Sequence, residues 1–340
     1  MSITLTSSNL RMTKILYAVQ ATGNGHLSRA KQLMPYLERY GEVDTMISGS
    51  NSTLDIGIKK TFTSPGLSLF YKKCGGLNYL QMVTSIKPKR LYNDINTLPV
   101  EKYDFVINDF DFITSRACIK KGVRSIQFGH QASFISDYTP RPERNSLIGE
   151  FILKKYAKAD KYVGLHFMEY DKHIFPPVIK DRIINSNPKN QKHITVYLPS
   201  LNQECLQEIL ESINNVHFHW FLPNHKEITR NKNITYFPIS NDLFTESMIN
   251  CEGVMTGGGF ETPAEAFYLK KKLMCIPITD HYEQECNAAA AKQLGAYVIF
   301  NMDYKHLESH IRSWLDTPRT NREQKANNIP ETLEYIFDMA

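Results

Sequence analysis

Short apolar runs alternate with stretches of helical period along most of the chain. Lys14 to Val19 (KILYAV) is apolar after its first residue. It ends in a glycine-rich turn, and a helical pattern follows through about Arg39. Further strand-like runs fall at 43–47, 105–107, 125–128 and 162–165, with helical stretches near 86–97, 114–121 and 144–158. Pro176-Pro177 and the polar run Asn185 to Asn190 (NSNPKN) interrupt the pattern, and then the same order restarts. Strands are predicted at 193–198, 216–222, 234–237, 253–256 and 273–276, with helices near 202–213, 241–249, from about 261, and 281–294.

Strand–helix alternation of this kind predicts an α/β fold of two Rossmann-like domains, each a parallel sheet covered on both faces. The expected division is a first domain over 1–170, a linker over 171–192 and a second domain over 193–316. Pro318 breaks the preceding helix. A late helix with Leu333, Ile336 and Phe337 on one stripe is expected to carry 317–340 back onto the first domain. Open parallel sheets bind ligands at the carboxyl ends of their strands, so two facing sheets define a cleft. The halves share element order but no sequence repeat.

A formal charge of +5 over 340 residues is too mild to imply nucleic acid. Basic residues do gather at Lys59-Lys60, Lys72-Lys73 and Lys87 to Arg90, either as a solvated face or as a surface drawn to anionic headgroups or an acidic acceptor. The six cysteines lack metal-ligand or disulfide-framework spacing and suit reduced thiols. The first ten residues do not resemble a signal peptide, and no apolar stretch reaches the roughly 18 residues of a membrane span. The expectation is a cytoplasmic protein that touches a membrane surface at most from its inner face.

Two loops carry candidate chemistry. The first, Ala21 to His26, joins strand to helix through Gly23, Asn24 and Gly25. Glycines there permit positive φ and close approach of a ligand, while the helix N-terminus offers N–H donors. A dinucleotide fingerprint would need a third glycine, where Ser28 and Arg29 stand instead. His26 opens the helix beside the cleft, as a base or as a solvent-facing capping residue. The second loop, Gly257-Gly258-Gly259, lies between a strand and a helix that carries Glu265. It suits a diphosphate, and Glu265 suits a ribose diol. Downstream, Gln284 and Asn287 are three apart on one helix face and can bind sugar hydroxyls.

The segment TGGGFETPAEAFYLKKKLMCIPITDHYEQECNAAAAKQLGA resembles the donor region of GT-B glycosyltransferases, and ATGNGHLSRA is similar to their N-terminal glycine loop. The nearest group is the family 1 and 28 set that includes the N-acetylglucosaminyltransferase completing the lipid precursor of peptidoglycan. The resemblance implies a nucleotide-sugar co-substrate, UDP-hexose or UDP-N-acetylhexosamine, no obligatory metal or other cofactor, and a place in cell-envelope glycan synthesis. It implies that Glu265 holds the ribose, Gly257 to Gly259 the phosphates, and Gln284 and Asn287 the sugar. Phe237 and Ile239 would flank the base, Ser200 would lie near the phosphates, and His26 near the acceptor. The plain triple glycine and the glycine-free loop LPSLNQE depart from the relatives, which leaves base and sugar open.

Many retaining enzymes of this fold carry a second glutamate eight positions before the one matching Glu265. Position 257 is glycine, which favours inversion with His26 as base. Asp109, ending a strand, is expected either to orient the imidazole or to serve as a turn residue. Asp109-Phe110-Asp111 also spells a metal-binding Asp-x-Asp, but in the half opposite the donor motif. The competing readings are a nucleotide-sugar 2-epimerase, a teichoic-acid-type polymer transferase and a nucleotide-sugar-binding protein without turnover. The acceptor is expected to be shaped by 49–103, where Leu67 to Tyr71 near Leu77 to Met82 offer a lipid-tail seat or simply core.

Overall fold

The computed structural model describes residues 12–21, 23–49, 57, 59–66, 87–319 and 324–339. Two seven-stranded sheets organise them. In the first, β1 (Lys14–Gln20), β2 (Glu42–Ser48), β3 (Phe62–Ser64), β4 (Phe105–Asp109), β5 (Ile126–Gly129), β6 (Lys161–Leu165) and β7 (Ile174–Phe175) run parallel in the order β3-β2-β1-β4-β5-β6-β7. Ile15 to Val19 are wholly buried, as an uninterrupted apolar strand covered on both faces must be. The sheet takes in Ile174 and Phe175, so part of the stretch expected as linker belongs to the first sheet.

The second sheet contains β8 (His193–Tyr197), β9 (His217–Leu222), β10 (Thr229–Asn231), β11 (Ile234–Pro238), β12 (Gly253–Thr256), β13 (Lys272–Cys275) and β14 (Tyr297–Val298). Its order is β10-β11-β9-β8-β12-β13-β14, with only the edge pair β10–β11 antiparallel. Strand order reverses between β1 and β4 in the first sheet and between β8 and β12 in the second. Such switch points leave a crevice at the strand ends.

The helices that matter for the cleft are few. In chain order the described helices are α1 (Asn24–Leu37), α2 (Pro88–Thr97), α3 (Phe112–Lys121), α4 (Leu147–Lys155), α5 (Asp181–Ile184), α6 (Gln203–Ser212), α7 (Asn241–Asn250), α8 (Glu261–Tyr268), α9 (Tyr282–Gln293), α10 (Tyr304–Leu315) and α11 (Ile329–Asp338). Phe260, the N-cap of α8, enters the first half, stacking on His130 at 3.9 Å and on Phe167 at 5.1 Å between ring centroids. Burying one phenylalanine is worth about 1.5–3 kcal/mol, so this side chain helps to hold the two halves together. At the chain's end, α11 packs against the first half. Phe337 stacks on Tyr40 at 4.1 Å and meets Phe105 edge-on at 4.8 Å.

Candidate functional site

The first switch point brings His26 and Asp109 together. Asp109 ends β4 opposite Val19 of β1, and the loop after β1 delivers His26 to the first turn of α1. His26 Nδ1 stands 2.9 Å from Asp109 Oδ1. Asp109 is fully buried, whereas the His26 side chain keeps 14% of its surface. Burial alone would lower the imidazole's pKa, but the Asp109 carboxylate outweighs it and the pKa is raised. Asp109 is held ionised, its burial overcome by Arg29 and His26. With Nδ1–H donated to the carboxylate, Nε2 keeps its lone pair. The Gln131 amide lies 3.3 Å from that nitrogen and donates to Glu283 Oε1 of α9 at 2.9 Å.

Asp111 faces elsewhere. It caps α3, accepting from the Thr114 N–H at 2.7 Å, and is bonded to Ser48. The Asp-x-Asp spelling therefore places its two carboxylates in different surroundings. Among the described residues no three His, Cys, Asp or Glu side chains are grouped to hold a metal ion.

Next to the dyad lies an open cleft between the halves, about 560 Å3 with the solvent space at its mouth included. It is lined by Asn24, Gly25 and Ser28 of α1, by Glu261, Thr262 and Glu265 of α8, and by Lys180. The N-termini of α1 and α8 thus converge on one space, where their dipoles favour negative charge. Tyr197, Phe221, Ile239 and Phe244 line it with apolar surface beside Ser240 and Asn241, in character suited to a flat heterocycle. Glu265 is buried and bonded to Lys180 Nζ at 3.1 Å; burial raises its pKa and Lys180 opposes the rise.

The sequence-predicted residues divide. His26, Asp109, Asn24, Gly25, Ile239 and Glu265 meet at the dyad and the cavity. Phe237 sits one layer back, stacked on Phe221 at 4.9 Å, and Ser200 is half-buried in the loop after β8, outside the cavity lining. Gln284 and Asn287 share a face of α9, but their amides hold the glycine turn. Gln284 Oε1 accepts from the N–H groups of Gly258 at 3.2 Å and Ile278 at 3.0 Å, and Asn287 Nδ2 donates to the Gly258 carbonyl at 3.0 Å. Asn287 Oδ1 also lies 2.6 Å from His130 Nε2 across the cleft.

The glycines act through space rather than through left-handed backbone. Gly23 is extended at φ −158. A Cβ at Gly25 would meet the Glu261 carboxylate at 2.3 Å, and one at Gly258 would stand 2.5 Å from the Gln284 carbonyl oxygen. Gly257 and Gly259 face open space or ordinary contacts.

Arg29, Lys180, Gln131, Glu261 and Glu283 were not singled out from the sequence. Arg29 had a signal: it lies one helical turn after His26, on the same face. Gln131 follows β5, at the strand end where ligands bind in such sheets. The stretches Leu67 to Tyr71, Lys72-Lys73 and Leu77 to Met82 lie outside the described residues.

The profile of glycosyl transferase family 1 matches residues 13–315. No curated protein matches the chain by sequence. Among solved structures, Arabidopsis thaliana UGT89C1 complexed with UDP-L-rhamnose is similar, with TM-score 0.58, 16% identity, and 97% of this chain and 94% of that chain covered. A Polygonum tinctorium UDP-glucosyltransferase able to glucosylate indoxyl, bound to 3,4-dichloroaniline, gives TM-score 0.58 at 13% identity, covering 96% and 98%. Acinetobacter baumannii MurG gives 0.53 at 13%, covering 90% and 91%. At such identities the likeness is one of fold, GT-B.

Proposed function

The chain belongs to glycosyl transferase family 1 and is a glycosyltransferase, and within that family we propose an inverting enzyme that uses a UDP-sugar. The donor is a UDP-hexose or UDP-N-acetylhexosamine, and the acceptor a hydroxyl on a glycan, a lipid-linked sugar or a small molecule. One observation carries this reading: the His26–Asp109 pair and the cavity ringed by helix N-termini share the first turn of α1.

In this reading the uracil lies against Tyr197, Phe221 and Ile239, the ribose diol on Glu265, and the diphosphate at the starts of α8 and α1. The acceptor hydroxyl gives its proton to His26 Nε2 as its oxygen attacks the anomeric carbon. The bond from that carbon to the diphosphate oxygen breaks on the opposite face, with inversion. Asp109 fixes the tautomer and stabilises the imidazolium that forms. The helix termini meet the charge that develops on the departing UDP. Gln284 and Asn287 act on the sugar through the Gly258 turn they hold, or directly once the donor displaces an amide.

The outer face of α4 bears on the acceptor. Leu147, Ile148 and Phe151 are 89%, 68% and 66% exposed, while Gly149 on the inner side packs against Tyr282 at the start of α9. Lys155 and Lys158 are exposed just beyond. An apolar stripe edged with basic groups suits a lipid-linked acceptor at an anionic membrane surface. Among the described residues no helix is long and apolar enough to cross a membrane.

Thermal unfolding with UDP, CDP, GDP, TDP and their common sugars tests the donor. A ligand at 100 times its Kd adds about 2.7 kcal/mol. UDP should raise Tm in the wild type, and Glu265→Gln should lose most of that increment. An equal increment in both proteins would refute the ribose site. UDP release that requires an added acceptor separates a transferase from an epimerase or a binder.

A further inference from the structure

The cavity is poorly equipped for a dianion as it stands. Among the described residues that line it, Lys180 is the only basic one, and it is engaged with Glu265. A second cation, Arg29, lies directly behind Glu261. Its side chain is 2% exposed. Arg29 Nη2 lies 2.8 Å from both oxygens of Asp109, Nε lies 3.1 Å from Oδ2, and Nη1 is bonded to Glu261 across the domain boundary. Nη2 also stands 3.1 Å from His26 Nδ1.

Glu261 is the first residue of α8, so its carboxylate occupies the helix terminus where an anion is favoured. Gly25 makes the contact possible, since any side chain there would strike that carboxylate. A diphosphate settling at this terminus meets a like charge in Glu261 and can reach the guanidinium only by moving it.

We propose that Arg29 is a positioning residue shared by the donor site and the base, and that Glu261 holds the diphosphate's place on it until the donor arrives. The inference rests on the donor reading above. Donor binding displaces the Glu261 carboxylate from Nη1, and the diphosphate takes up that N–H group. The remaining N–H groups stay on Asp109. The same cation thereby senses the donor and keeps Asp109 ionised behind His26. Its positive charge beside Nδ1 also opposes protonation of His26.

Calorimetric titration with UDP tests the exchange without needing an acceptor. Glu261→Gln removes the competing charge from a partly exposed side chain, so UDP should bind at least threefold tighter. If the Arg29–Glu261 pair only braces the two halves, the same variant should bind UDP equally well or more weakly, and either result overturns the proposal. Arg29→Lys keeps a charge but loses the fork, so UDP should bind more weakly than in the wild type; unchanged affinity would count against the exchange. Arg29→Gln should shift the acid limb of kcat/KM, because it removes both the cation that disfavours imidazolium and the charge that holds Asp109 ionised; an unmoved limb would remove Arg29 from the base. Failure of wild-type binding to every one of UDP, CDP, GDP and TDP would instead sink the donor reading itself.

Discussion

The three consecutive glycines look equivalent in the sequence and should behave very differently. An alanine Cβ at position 258 would stand 2.5 Å from the Gln284 carbonyl oxygen, 2.7 Å from its Cβ and 3.0 Å from its carbonyl carbon. Two of those three atoms are backbone of α9, so no rotamer change relieves the clash. The turn and α9 must separate, and the Gly258 contacts to Gln284 and Asn287 lengthen or break. Overpacking costs about 1–3 kcal/mol and a lost hydrogen bond about 0.5–1.5 kcal/mol, so with one of the two bonds broken Gly258→Ala should lose about 2–4 kcal/mol. At about 2–4 °C per kcal/mol for a unit of 150–250 residues, Tm should fall by roughly 5–15 °C. At Gly259 a Cβ meets nothing within 4 Å, and its φ is not in the left-handed range. Gly259→Ala should therefore be neutral, or stabilising by up to about 1 kcal/mol through the unfolded chain. Differential scanning calorimetry of both variants decides the matter. Equal Tm values would show that the turn is not seated on α9 as described.

Three further outcomes follow from the same geometry. Because the His26 pKa is raised above its ordinary 6.5, kcat/KM should fall on the acid side with an apparent pKa above that value; a limb well below it would contradict the Asp109 contact. Burial pushes His130, His193 and His281 down to about 4, so each of these imidazoles binds its proton in the unfolded chain but not in the native one between pH 6.5 and 4. Each contributes stability that is lost as pH falls through that window. Residue-resolved NMR titration should find all three neutral well below pH 6.5, and ordinary titration near that value would refute the burial. Phe337→Ala removes the contacts of α11 with Tyr40 and Phe105 and should cost about 2–3 kcal/mol, less than a fully buried phenylalanine. Unchanged unfolding would show that α11 does not add to the first half.

What the sequence could show depended on how local the cause was. The long buried strands announced themselves, since a run such as ILYAV has no polar face to hide. Edge strands of two or three residues, β3, β7, β10 and β14, carry too few positions for any period and went unseen. His26 and Asp109 were legible because both end at one switch point, and strand order follows from element order. Arg29 and Glu261 are separated by 232 positions and meet only through the folding of both halves. Gln284 and Asn287 showed their helix face but not their partners: whether an amide serves a sugar or a turn depends on where Gly258 lies.

In the proposed mechanism His26 takes the acceptor's proton while the donor is held mainly by the opposite half. The direct test is the acceptor-dependent rate of UDP release by His26→Ala, with UDP affinity measured on the same preparation. Affinity should stay within about twofold of wild type, and turnover should fall by roughly 10²–10⁴, the usual contribution of a positioned general base. Near wild-type turnover by His26→Ala would contradict the account and assign the proton to another group.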